Sequence, residues 1–128
     1  MRKKLSAILV LLILLVAVPQ GFAQYNRSAV LSVMRGSYAL LGEIKTAAKS
    51  DNYYTAALKL MELAEGFKSL QEVSPPRGSK AEWDRLHGEV VEAAFRGIGA
   101  CGEKDKERLD LEISKIMELN KVGHSKFR

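Results

Sequence analysis

Apolar positions along the chain recur at steps of three and four, and no segment alternates with a period of two over a useful length. Amphipathic helices produce that pattern, each with one apolar stripe. The first stripe predicts a helix over about 26–49. Leu31, Met34, Tyr38, Leu41 and Ala48 share its buried face, widened by Val30, Val33, Leu40 and Ile44. Gly36 and Gly42 weaken such a helix by up to ~1 kcal/mol each relative to Ala, which points to close approach by a neighbour or a ligand. Ser50, Asp51 and Asn52 then supply capping side chains. The next stripe predicts a second helix over about 53–72, burying Tyr54, Ala57, Leu58, Met61, Ala64, Phe67 and Leu70.

The clearest break is Val73-Ser-Pro-Pro-Arg-Gly-Ser79. Pro75 and Pro76 cannot continue a helix, and the residue before them is pushed toward extended backbone. Ser79 and Glu82 have the spacing of a capping box, which opens a third helix over about 80–100. Its seam, Trp83, Leu86, Val90, Ala93, Gly97 and Ala100, alternates steps of three and four without a miss. Cys101-Gly-Glu-Lys104 reads as a short loop. A fourth helix follows over about 105–127, with Leu109, Ile113, Ile116, Asn120, Gly123 and Phe127 along one edge. Asn120 and Gly123 break the apolar pattern directly before His124, and such a departure is where function is sought. Four amphipathic helices joined by short, long and short connections predict an all-α fold, an antiparallel up-down-up-down four-helix bundle.

The N-terminus has a different character. Arg2, Lys3 and Lys4 precede an apolar run from Leu5 to Val18, and small residues Gly21 and Ala23 follow. That is the layout of a secretory signal peptide, and the run is shorter than the roughly 20 residues a spanning helix needs. The expected organisation is a signal over 1–23 and one bundle domain over 24–128, periplasmic or otherwise exported, with no stable membrane insertion once the signal is cleaved. The alternative is an uncleaved anchor that tethers a helical partner protein. Removing the three basic residues lowers the formal charge from +5 to +2, and no basic cluster interleaved with aromatics remains, so nucleic acid is not an expected partner. The single cysteine, Cys101, precludes an internal disulfide; it reads as a small apolar residue at a turn rather than a reactive thiol, and a bond to a second chain stays open. A homodimer is compatible with all of this.

Enzyme signatures are missing: there is no Gly-rich loop between strand and helix, no His-Glu-x-x-His, no Cys-x-x-Cys and no nucleophile elbow. Nor is there a Glu-x-x-His pair of the kind that di-metal carboxylate bundles use. The chain is therefore read as a binder or carrier. Two histidines remain. His87 reads as a partly exposed helix residue. His124 reads either as a residue near a helix C-terminus, where its charged form suits the macrodipole, or as a metal ligand. In an up-down-up-down bundle Met34, near the start of the first helix, lies at the same end as His124. A thioether and an imidazole on facing helices suit haem iron. Met34 as plain core filler stays open. Met61 and Met117 are less well placed.

At these residues the chain resembles the cytochrome c′ family (class II c-type cytochromes) and its periplasmic b-type relative, which binds haem without covalent attachment. Members of the first group end in Cys-x-x-Cys-His followed, after two residues, by Phe and a basic residue. Here Asn120 and Gly123 stand at the cysteine positions, while His124, Phe127 and Arg128 match. The b-type relative ends in His-x-Lys-aromatic-Arg, which His124-Ser-Lys126-Phe127-Arg128 matches in full. It also carries a Met near the start of its first helix and a Pro-Pro break after the second, as Met34 and Pro75-Pro76 do here. Arg27, Leu31 and Met34 are similar to the first-helix pattern of the c′ family, and Trp83-Asp84 to the pair that opens its third helix.

The resemblance implies a haem held non-covalently, with His124 and Met34 as metal ligands. It implies that Arg27 and Arg128 lie near the propionates, that Leu31 covers the distal face if Met34 does not reach the iron, and that Trp83 and Phe127 line the pocket. The expected partner is a redox protein or a small gas. The alternative is a haem-free descendant of the family that serves as a binding or structural module.

Overall fold

The computed structural model describes residues 25–127. The expected signal over 1–23 and the terminal Arg128 lie outside the described residues. Four helices make up the chain: α1 Arg27–Lys49, α2 Tyr53–Leu70, α3 Lys80–Glu103 and α4 Lys106–Phe127. Among the described residues there is no strand, and no helix is long and apolar enough to cross a membrane. Each helix packs on the next in sequence, and α1 closes the ring against α4 with the sparsest seam of the four. The predicted four-helix bundle is the observed one.

The helix boundaries follow from local chemistry. The side chain of Asn26 accepts from the Ala29 amide (3.1 Å), Asn52 from Thr55 (3.2 Å) and Ser79 from Glu82 (3.1 Å), each satisfying an amide that the first turn leaves without a partner. Only half of the expected capping box forms: the Glu82 carboxylate reaches across to Lys126 (3.3 Å) on α4. The expected loop at 101–104 is also corrected. The helix runs on to Glu103, and Lys104 turns the chain in the left-handed region (φ 56°), its amide donating to the carbonyls of Ala100 and Cys101. Cys101 is thereby buried in α3, its thiol pushed up by burial and withdrawn from a bond to a second chain.

The α3 seam is buried as expected, and α4 buries Leu109, Ile113, Ile116 and Phe127. The α1 stripe is buried at Val30, Leu41, Ile44 and Ala48 as expected, and the α2 stripe at Ala64, Phe67 and Leu70, but the first half of the α2 stripe is rotated from its predicted position. Tyr38, Tyr54, Leu58 and Met61 face solvent, with Tyr38 82% and Tyr54 76% exposed. Ser37, Leu41, Ile44 and Ala47 line the inner face of α1; Ala56, Leu60 and Leu63 do so on α2. The reason is that α2 carries two apolar stripes, and spacing alone does not say which of them meets a neighbour. Gly36 and Gly42 have nothing close to where a Cβ would stand, so the close approach expected there is absent. It occurs at Gly97, where an added Cβ would lie 3.0 Å from Leu60 on α2, and at Gly123, 2.8 Å from Leu86 on α3.

Candidate functional site

The long connection between α2 and α3 places the wide end of the bundle. Gly78 adopts φ +83°, and a Cβ there would stand 3.0 Å from the Phe127 ring, so only glycine suits this turn over the end of α4. Trp83, in the first turn of α3, donates its indole N–H to the Leu70 carbonyl at the end of α2 (2.6 Å). Gln71 bonds the Asp84 carbonyl (3.0 Å), and Lys80 bridges the Gln71 carbonyl and the Asp84 carboxylate. These contacts clamp α2 to α3. Trp83 meets Phe127 edge-on at 5.1 Å and His87 edge-on at 4.2 Å between ring centres, and Phe67 stands 5.6 Å from His87. Large rings at this level hold the helices apart.

Beside this aromatic wall, at the same end of the bundle, lies a cavity of about 340 Å³. All four helices contribute to its lining: Leu31 and Met34 from α1, Phe67 from α2, Trp83 and His87 from α3, and Asn120, Gly123, His124 and Phe127 from α4. Among the described residues its walls carry no Lys, Arg, Asp or Glu side chain; the polar groups are an indole, two imidazoles, a phenol and an amide. Such a site is apolar with a few placed polar groups, as small-molecule pockets are.

The structure thus brings five of the sequence-predicted residues, His124, Met34, Leu31, Trp83 and Phe127, to one cavity. His124 is on its exposed rim, Met34 is half-buried, and Trp83 and Phe127 are buried. Arg27 is the exposed first residue of α1 and does not line the cavity. Arg128 lies outside the described residues. Asn120 and Gly123, the positions that break the apolar seam, both border the cavity.

His87 overturns its sequence reading. It is 1% exposed, and its Nδ1 is buried without a hydrogen-bond partner among the described residues. Burial holds its pKa down at about 4, against the weaker pull of Asp84, so the ring is neutral near pH 7. The sequence carried a signal for this: His87 is four residues after Trp83, one helical turn on the same face. Among the described residues no group of three or more His, Cys, Asp or Glu side chains could hold a metal ion. Any metal here would need the two imidazoles, the thioether or a macrocycle as its donors.

These residues fit a flat apolar group carrying a metal. The cavity offers aromatic and aliphatic walls together with imidazole and thioether side chains. Its volume is at the lower end of the ~300–1,000 Å³ typical of ligand sites, which is tight for a group as large as haem. No family model, curated protein or solved structure matches the chain.

Proposed function

We propose that the chain is an exported, haem-binding four-helix-bundle cytochrome that transfers one electron or binds a small gas at a non-covalently held haem. The observation that carries the reading is the convergence of His124, Met34, Leu31, Trp83 and Phe127 on one uncharged cavity, from three helices. His124 is the ligand common to both groups that the chain resembles, and its place on the rim leaves a ring nitrogen accessible. Met34 would be the second residue to hold the group, which would suit electron transfer with a redox protein; were Leu31 to cover that side instead, the group would be open to a small gas. Arg27 and Arg128 are the cations for the propionates, a charge-assisted role that suits Arg. When bound, haem supplies the redox-active iron; the chain supplies its ligands, a dry surround and a fixed orientation. Export rests on residues 1–23.

The test is a haem titration of the protein spanning residues 24–128. Trp83 is the only tryptophan and lines the cavity, so its fluorescence reports occupancy directly. The expected result is a saturable Soret shift with parallel quenching of Trp83, lost in His124→Ala. No saturable shift, or a shift that His124→Ala leaves unchanged, overturns the reading.

A second reading, a haem-free binding or structural module of the same descent, has its own supporting observation. Asn120 and Gly123 stand where the family it resembles carries its thioether cysteines, and at Gly123 the Leu86 side chain stands 2.8 Å from the point a Cβ would take. A folded, colourless protein that gains no Soret band from added haem decides for it.

A further inference from the structure

The size and lining of the cavity suit a class of ligand much smaller than haem. Protein interiors seldom hold voids larger than a water molecule, yet about 340 Å³ is open here between the four helices. An apolar cavity of ~150 Å³ takes one benzene ring, so this one takes on the order of two fused rings with a substituent. The lining is graded with depth. Its buried residues offer rings and alkyl chains: Val30, Phe67, Trp83, Leu86, Val90 and Phe127. The Trp83 indole N–H is already engaged by the Leu70 carbonyl, and burial keeps the His87 ring neutral near pH 7. The other polar groups stand shallower: Asn120 is half-buried, and Tyr25 and His124 are exposed. Asn120 follows Ile113 and Ile116 along the α4 seam, and its amide both donates and accepts. The described lining residues include no Lys, Arg, Asp or Glu, so an ionised ligand would give up its hydration for no full counter-charge.

We propose that this cavity binds a small uncharged aromatic molecule of about two fused rings, with its rings among Phe67, Trp83 and Phe127 and one hydroxyl or carbonyl at the Asn120 amide. This rests on the second reading above, the haem-free binding module, and names the ligand class of that module.

The experiment is isothermal titration calorimetry at neutral pH with 2-naphthol, 2-methylnaphthalene and 2-naphthoate. The three share one ring system and differ in a hydroxyl, a methyl and a carboxylate. The expected result is saturable binding of one 2-naphthol per chain. For want of one hydrogen bond 2-methylnaphthalene should bind roughly two- to tenfold more weakly, and 2-naphthoate, being charged, more than about tenfold more weakly. Asn120→Leu is expected to bring 2-naphthol and 2-methylnaphthalene to equal affinity; if Asn120 only filled space, their ratio would not change. Met34→Trp, which adds bulk to the half-buried α1 wall, is expected to abolish binding while its circular dichroism stays helical.

Absence of saturable 2-naphthol binding, 2-naphthoate bound as tightly as 2-naphthol, or an unchanged ratio in Asn120→Leu overturns the proposal. So does undiminished binding in a folded Met34→Trp. A parallel haem titration separates this proposal from the reading it rests on. Neither a Soret band nor bound 2-naphthol overturns the proposal alone and leaves a structural module. A Soret band without 2-naphthol binding overturns both the proposal and the haem-free reading.

Discussion

The two ends of the bundle solve the same packing problem in opposite ways. At the end where α1 meets α2 and α3 meets α4, the connections are tight and both turn through a left-handed non-glycine residue, Asp51 and Lys104 (φ 56° each). Many of the buried side chains there are small, Ala47, Ala48, Ala56, Ala100 and Cys101 among them, packed around Leu109. Lys106 bridges to Asp51 (3.3 Å) and ties one turn to the other. At the opposite end the connection over 71–79 is long, the buried side chains are Phe67, Trp83, His87 and Phe127, and a cavity of about 340 Å³ lies between them. Small residues let helices close; large rings and an unfilled seam keep them apart. Close helix packing therefore marks one end and the cavity marks the other.

The strongest way to break this contrast is Trp83→Ala. It removes the largest buried side chain, leaves the Leu70 carbonyl without its donor and enlarges the cavity. A loss of roughly 3–5 kcal/mol is expected in urea denaturation followed by circular dichroism. A loss below ~1 kcal/mol would show that the wide end already behaves as a loose region independent of the clamp.

The next effect is on pH dependence. His87 in the folded chain has a pKa of about 4 against the ordinary imidazole value of 6.5, so the unfolded chain binds the extra proton between those values. Its contribution is fully present above pH ~6.5, falls as the pH drops toward 4, and levels off below that, a total of about 3 kcal/mol. Denaturation midpoints at pH 7 and pH 4.5 should diverge by less in His87→Phe than in the unsubstituted protein. Equal divergence means that other groups govern the acid limb.

A matched pair of substitutions compares the seams directly. Gly97→Ala puts a Cβ 3.0 Å from Leu60, which is fully buried and has nowhere to go. The overpacking cost of ~1–3 kcal/mol outweighs the ~1 kcal/mol gained in helix propensity, giving net destabilisation. Gly123→Ala puts a Cβ 2.8 Å from Leu86, but that side chain borders the cavity and can shift into it. Here the propensity gain is expected to prevail, so the variant is neutral to slightly stabilised. Equal signs for the two variants would erase the distinction between the ends. The smallest effect is that of Lys126→Ala, which removes the pair with Glu82; both partners are largely exposed, and the cost should stay below ~1 kcal/mol.

Much of this architecture was legible in the sequence, and the failures are specific. The α3 seam reads correctly because Trp83, Leu86, Val90 and Ala93 keep steps of three and four from the first turn, where Glu82, Asp84, Arg85 and Glu89 exclude the other faces. The α2 stripe misreads because Leu58 and Met61 are as apolar as Leu60 and Leu63, so two faces satisfy the same spacing. The loop at 101–104 misreads because Gly99 and Gly102 resemble punctuation, yet the helix continues through them to a left-handed lysine. His87 misreads because histidine on a helix is equally at home half-exposed; only its neighbours, Phe67 from another helix and Trp83 one turn back, enclose it.

The amino-acid sequence by itself determined four helices, their caps, their order and the end at which Met34 and His124 lie. Those properties follow from backbone hydrogen bonding and from side-chain spacing within one segment, which are local. Only the tertiary structure decided which face of α2 is buried, that His87 is enclosed and unpartnered, and that residues from four helices share one cavity. Those depend on how each helix is rotated against its neighbours. That rotation is set by the summed burial of all four stripes and by contacts such as Leu60 with Gly97 and Leu86 with Gly123, which no single segment encodes.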